Sequence, residues 1–235
     1  MKLLHLYHDI MNLYGDYANI LCLKRMLEKN GEEAGIDRVS LSEDAILDEY
    51  DFIFVGSGTE KNQKVVLADF LKYRDQLKAY IASGKPLLMT GNSFEMLGKM
   101  ITDGSGKSYD GLGLYDFTVT EERGRRYTAD IIAKTDFLDQ PLVGFINKSS
   151  MVDGVKAPMD TVTFGIGNKD GEMTEGVRDK HFYGTHITGP VLEKNPHFLC
   201  YIAGLILKKS PDDKPLAYEK KGYENTLRKL SERIN

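Results

Sequence analysis

The residues best placed to do chemistry lie in the segment Leu87-Leu88-Met89-Thr90-Gly91-Asn92-Ser93-Phe94-Glu95-Met96-Leu97-Gly98. An apolar strand runs into a tight turn and then a helix start, which is the form of a nucleophile elbow. Such a turn holds one residue at a helix N-terminus, where amides and dipole lower a thiol's pKa and supply donors for an oxyanion. The chemistry it suits is acyl transfer. Two side chains in it carry a hydroxyl. Ser93 reads as a first-turn or capping serine, and Thr90 as a β-branched strand residue. Cys22 and Cys200 sit in apolar runs, as inert buried thiols do, and lack a metal or redox spacing. Strand alternation sets His5 and His8 on opposite faces, and His181 and His197 read as surface or capping residues. No metal constellation emerges. Glu60 and Glu95 read as isolated, solvated carboxylates.

The elements that must position the elbow follow from periodicity. Lys2 to Tyr7 is a strand. Asp16 to Glu28 sets Ile20, Leu23 and Leu27 on one helical face. Val39 and Leu41 mark a second strand. Phe52 to Val55 is a buried-type strand ending in Gly56-Ser57-Gly58. Val66, Phe70, Tyr73, Leu77 and Tyr80 then predict one amphipathic helix, closed by Gly84. Pro86 to Thr90 is the strand into the elbow, and Phe94 to Lys99 a short helix. The alternation predicts a three-layer α/β domain, with a mostly parallel central sheet and helices on both faces. Ligands in such folds bind at the carboxyl ends of the strands, where both glycine-bearing loops fall. Further strands are expected at Thr118 to Thr120, Tyr127 to Ala133, Thr161 to Phe164 and Phe182 to Tyr183. Asn195 to Leu207 reads as a helix. After a proline-bearing break, Tyr223, Leu227, Leu230 and Ile234 mark a terminal helix. The expected organisation is one domain over residues 1–208, with 209–235 a helical extension packed on it.

The elbow resembles that of class I glutamine amidotransferases, written G-x-C-x-G-x-Q followed by Met/Phe-Leu-Gly. Met96-Leu97-Gly98 fixes the register without gaps. In it the nucleophile position is Gly91 and the glutamine position Glu95. Asn12-Leu13-Tyr14-Gly15-Asp16, Phe54-Val55-Gly56-Ser57-Gly58, Gly111-Leu112-Gly113-Leu114, Phe164-Gly165-Ile166-Gly167-Asn168 and Gly184-Thr185-His186-Ile187-Thr188-Gly189-Pro190 extend the likeness over residues 1–208. Together they resemble the CobB/CobQ (cobyric-acid-synthase-like) branch, and within it the small amidotransferase subunits of lipid II isoglutaminyl synthases. The resemblance implies a flavodoxin-like fold and an ATP-dependent, Mur-ligase-like synthetase as partner. It puts the base histidine at Thr188, while His186 stands where the family has tyrosine. It implies that Arg126 contacts the substrate glutamine, and a guanidinium fork suits a carboxylate. It implies that Gly56-Ser57-Gly58 gives one oxyanion amide and Asn92 the other. The family's Asn-His-Gly-Gly segment is replaced by Asn147-Lys148-Ser149-Ser150.

Glycine offers no attacking atom, whereas this chemistry needs a thiolate. The expected site therefore has no intact catalytic pair, with Ser93 and His186 as possible substitutes. Three functions follow. The first is an amidotransferase-like subunit of an amide-forming synthetase without glutaminase activity of its own. The second is an active glutamine-hydrolysing subunit, serving peptidoglycan synthesis or a cobyric acid synthase-like enzyme. The third is a module binding L-glutamine, another amino acid or a small metabolite.

The composition fits these readings. The chain has 235 residues, 41% hydrophobic and 28% charged, with net charge −4, in the ordinary globular range. Arg123, Arg125 and Arg126 are too small a basic patch for nucleic acid. No apolar run reaches the length of a bilayer span. No cofactor and no membrane or nucleic-acid partner is expected, and a cytoplasmic protein is.

Overall fold

The computed structural model describes residues 1–234. In chain order its elements are β1 (Lys2–Leu6), α1 (Ala18–Lys29), β2 (Gly35–Val39), β3 (Phe52–Val55), α2 (Glu60–Phe70), α3 (Arg74–Ser83) and β4 (Leu87–Thr90). A 3-10 helix (Gly91–Leu97) follows, then β5 (Met100–Thr102), β6 (Ser108–Asp110), β7 (Thr118–Glu121), β8 (Tyr127–Lys134), β9 (Leu142–Lys148) and β10 (Ser150–Asp153). The chain closes with β11 (Asp160–Phe164), β12 (Thr174–Glu175), β13 (Val177–Asp179), β14 (Phe182–Thr185), α4 (Val191–Lys194), α5 (Pro196–Leu207) and α6 (Ala217–Ser231).

The central sheet has the order β13-β14-β4-β3-β1-β2. It is parallel except for β13, which pairs antiparallel with β14. Its inner strands β1, β3, β4 and β14 are buried on both faces, so their side chains alternate between two cores. Leu4, Leu6, Ile53, Val55, Leu87 and Met89 face the core under α2 and α3. Leu3, Phe52, Phe54 and Leu88 face the one built with α1 and α5. The three-layer α/β prediction therefore holds.

Two smaller sheets come from the second half, ordered β10-β7-β5-β6 and β12-β11-β8-β9. Their strands are mostly two to five residues long, below the length at which periodicity becomes legible. The single helix expected through Val66 and Tyr80 is two, broken by a 3-10 turn at Leu71–Tyr73. The apolar spacing survives the break because the 3-10 turn keeps the chain on the same core. His5 and His8 are not on opposite faces: their rings lie 6.0 Å apart, because the strand ends at Leu6 and Tyr7 turns at φ +56°. Helix α6 lays Tyr223 and Leu230 on Ile132 and Val143. Ile234 falls beyond the helix and is half exposed. Among the described residues no helix is long and apolar enough to cross a membrane.

Candidate functional site

The carboxyl ends of β3 and β4 meet at one buried acid. Asp16 Oδ2 accepts hydrogen bonds from the Ser57 amide and the Thr90 hydroxyl, both at 2.8 Å. Asp16 is fully buried, and burial lifts its carboxyl to about 6 despite these two donors. The Leu13 amide also donates to the Ser57 carbonyl at 2.9 Å. Asp16 lies in a motif read from the sequence, yet its role as the tie between the two glycine-bearing loops was not legible there. Gly56 backs onto the Met11 carbonyl, and a side chain on Gly58 would strike the Met11 sulfur.

Gly91 opens the elbow at φ +60°, the left-handed region that disfavours a side chain. A Cβ built on it would stand 2.5 Å from Ser57 Cβ and nearer still to Ser57 Oγ. The serine thus fills the space into which an elbow side chain would project. Thr188 is buried, its amide and hydroxyl both bonded to the Phe145 carbonyl, at 2.9 and 3.0 Å. Ser93 is fully buried, its hydroxyl turned back onto the Thr90 and Val55 carbonyls at 2.7 and 3.1 Å. It is not presented to the pocket.

Glu95 requires a correction. Read as a solvated acid, it is 1% exposed and the hub of a polar chain. Its Oε2 accepts from Gln63 Nε2 at 2.7 Å. Its Oε1 takes the Ser150 hydroxyl in a short contact and faces His186 Nε2 at 3.0 Å. On the other side of the ring, Nδ1 lies 3.0 Å from Glu175 Oε1. That carboxylate also receives the His186 amide at 2.7 Å and the Thr185 hydroxyl at 2.6 Å. Burial alone would raise the Glu175 pKa, but these three donors outweigh it and hold it below the ordinary range. Across the β11–β12 pair from Glu175, Asp160 is raised well above its usual value, by burial first and by Glu175 second. The 3-10 turn carrying Glu95 is too tightly enclosed to leave it a solvent face: Phe94, Met96 and Leu97 are all fully buried. An acid inside that apolar run is the sequence signal that could have found this network. His186 thus reaches the pocket only through Glu95.

The pocket itself has a volume of about 130 Å³ and is lined by Tyr14, Ser57, Gly58, Glu60, Asn92, Glu95, Arg126 and Asn147 to Ser150, among others. Arg126 stands at its rim. One guanidinium nitrogen donates to Asn147 Oδ1 at 2.9 Å, the other to Glu60. Glu60 is therefore not isolated either. As the first residue of α2 it also accepts from the Ser149 hydroxyl at 2.8 Å. Burial would raise its pKa, but the α2 amide, Ser149 and Arg126 bring it below the ordinary value. Asn92 Oδ1 accepts from the Gly58 amide at 3.0 Å, and its carbonyl takes Gln63 Nε2 at 2.6 Å. Lys148 is buried with its amine on the Gly167 and Asn168 carbonyls, both at 2.8 Å; burial lowers its pKa to about 8. Ser57, Gly58, Asn92 and Arg126 thus line one pocket, with Gly56 just behind.

Other reactive groups lie apart. Cys22 and Cys200 are free, and burial raises both thiols, Cys200 to about 11. His197 is not a surface residue: both ring nitrogens are enclosed and burial lowers it to about 4. No group of three or more His, Cys, Asp or Glu able to hold a metal occurs among the described residues. A larger cavity of about 340 Å³ lies beside α3, lined by Arg74, Tyr115 and Asp179 among others. It shares no residue with the elbow.

Residues 2–196 match the CobB/CobQ-like glutamine amidotransferase domain. The chain is 31% identical over 225 residues to the lipid II isoglutaminyl synthase (glutamine-hydrolyzing) subunit GatD of Staphylococcus aureus, covering 96% of this chain and 90% of that one. It is 30% identical over 211 residues to the subunit of the same name from Streptococcus pneumoniae, covering 89% and 81%. In fold it is similar to the PurLQS structure from Thermotoga maritima, with TM-score 0.54, 14% identity and coverage of 96% and 98%. It is similar also to a glutamine amidotransferase of Thermotoga maritima, with TM-score 0.52, 16% identity and coverage of 100% and 97%.

Proposed function

The chain belongs to the CobB/CobQ-like glutamine amidotransferase family, and we propose that within it this protein is the amidotransferase-like subunit of an amide-forming synthetase of the lipid II isoglutaminyl synthase type, without glutaminase activity of its own. One observation carries the reading. At the elbow stands a glycine at φ +60° whose side-chain space is taken by Ser57. Attack on a carboxamide needs an activated nucleophile, and no sulfur or oxygen projects from that vertex. Thr188, at the base position, spends its hydroxyl on the Phe145 carbonyl. A serine substitute is poorly supported, because Ser93 faces away from the pocket.

The curated relatives are named as subunits that hydrolyse glutamine. The subunit role comes to this chain with that likeness, and the hydrolytic role does not. The partner would be an ATP-dependent, Mur-ligase-like synthetase drawing on free ammonia. The test is to purify the chain with the ligase encoded beside it and to assay ammonia release from L-glutamine, alongside amide formation from ammonium salts. The expected result is a stable complex, ammonium-dependent amide formation and no release above blank. Release that depends on this chain would overturn the loss of glutaminase activity. Failure to form a complex would overturn the subunit role.

A further inference from the structure

We propose that Glu60 and Asn92 are built-in ligands, occupying the groups with which the pocket would hold a free amino acid, so that the site is permanently self-filled. The inference rests on the reading of the chain as a non-hydrolytic subunit and says what became of its pocket.

Three features of the pocket could receive an amino acid: a guanidinium for its carboxylate, a backbone amide for its side-chain carbonyl, and the space at the elbow vertex. Each is taken by the chain itself. Arg126 is engaged at both terminal nitrogens, by Glu60 and by Asn147. Glu60 is no casual partner. It sits at the N-terminus of α2, where the helix dipole favours a carboxylate, and Ser149 fixes it from the other side. An incoming carboxylate must displace it and bear its charge at close range. The Gly58 amide already donates to the carboxamide oxygen of Asn92. That oxygen is chemically the same acceptor that a carboxamide ligand would bring. Asn92 is pinned in turn through its carbonyl by Gln63. The elbow vertex holds the Ser57 side chain. What remains is about 130 Å³, well under the roughly 300 Å³ at which small-molecule pockets begin.

The pocket thus keeps the hydrogen-bond pattern of an occupied site with nothing bound. A partner docked on this chain would meet one fixed conformation whatever the amino-acid concentration. A ligand shifts an equilibrium only through a difference in affinity between two states, and here the competing state is covalently supplied.

The test is a gain of binding. Saturation-transfer NMR with L-glutamine, L-glutamate and L-lysine is run on the full-length wild type and on Glu60→Ala, Asn92→Gly and the double variant. Circular dichroism checks folding. The wild type is expected to show no transfer at millimolar ligand. The double variant is expected to bind L-glutamine or L-glutamate roughly tenfold more tightly than the limit set by the wild type. Both side chains are partly exposed, so the single variants decide the matter should the double variant not fold. Binding by the wild type overturns the proposal. So does a folded set of variants that never binds. Binding by the wild type without ammonia release sinks this proposal alone, whereas ammonia release by the wild type sinks the functional reading.

Discussion

Ser57 and Gly91 share one side-chain space: a Cβ on Gly91 would lie 2.5 Å from the Cβ of Ser57. Two costs therefore fall on Gly91→Ala or Gly91→Cys. The left-handed backbone disfavours an L side chain by about 1–2 kcal/mol, and overpacking adds about 1–3 kcal/mol. Urea unfolding should show a loss of about 2 kcal/mol or more. Adding Ser57→Gly should recover the overpacking part, as a double-mutant cycle reads it. Strict additivity of the two substitutions would show that the residues do not compete.

The Glu95–His186 contact makes a second cycle. Removing one partner of a buried hydrogen-bonded pair leaves the other unsatisfied and costs about 1–3 kcal/mol. Glu95→Ala and His186→Ala should each lose an amount of that order. The double variant should lose markedly less than their sum. Independent losses would mean that the imidazole and the carboxylate are not paired in solution.

Asp16 predicts a pH dependence. Its folded carboxyl titrates at about 6 against an ordinary 3.8. Between those values the folded state holds a proton that the unfolded state has released. Stability contributed by this group is therefore highest below about pH 4, falls as pH rises to about 6, and is level above that. At about 1.36 kcal/mol per pH unit the full effect is at most about 3 kcal/mol. Melting temperatures of wild type and Asp16→Asn, compared across this window, should diverge in slope. Parallel profiles would show that Asp16 is ionised throughout.

Helix α6 is fastened by few side chains. Tyr223 packs on Ile132 and Val143 and its hydroxyl donates to the Pro141 carbonyl at 2.8 Å. Tyr223→Ala should cost about 3 kcal/mol, by analogy with other large aromatic deletions, and should speed amide exchange in 217–231. A loss below about 1 kcal/mol would mark the helix as an appendage rather than part of the domain.

Much of the first half was legible because long-lived signals coincide there. β1, β3 and β4 are mostly apolar runs, and each ends in a glycine-bearing or turn segment that punctuates it. Motif spacing set Gly91 at the turn after β4, where it stands at φ +60°, because such spacing transmits register along a chain. An acid within an apolar run hints that Glu95 is buried, but its partners could not be named, because spacing carries nothing about partners far apart in sequence. Ser150 and His186 lie 55 and 91 positions from Glu95. The pairing of Arg126 with Glu60 spans 66 positions and was invisible for the same reason. The small sheets were legible only in part, because strands such as Met100–Thr102, Ser108–Asp110 and Thr174–Glu175 are too short for alternation to show.

The run from Glu175 through His186 to Glu95 also decides how the chain can be divided. Glu95 and its partner Gln63 come from the first hundred residues, and Ser150 and His186, with Glu175 behind the ring, from the rest. β14 is laid directly beside β4 in the same way. A fragment ending near residue 100 would leave Glu95 with Gln63 alone as a side-chain partner and an open sheet edge beside it. The complementary fragment would keep the His186–Glu175 contact but leave His186 Nε2 and the Ser150 hydroxyl without their partner. Neither piece should be stable by itself, yet mixed together they hold matching edges and matching hydrogen-bond partners. Reassembly from two separately expressed fragments is thus the expected outcome of mixing them.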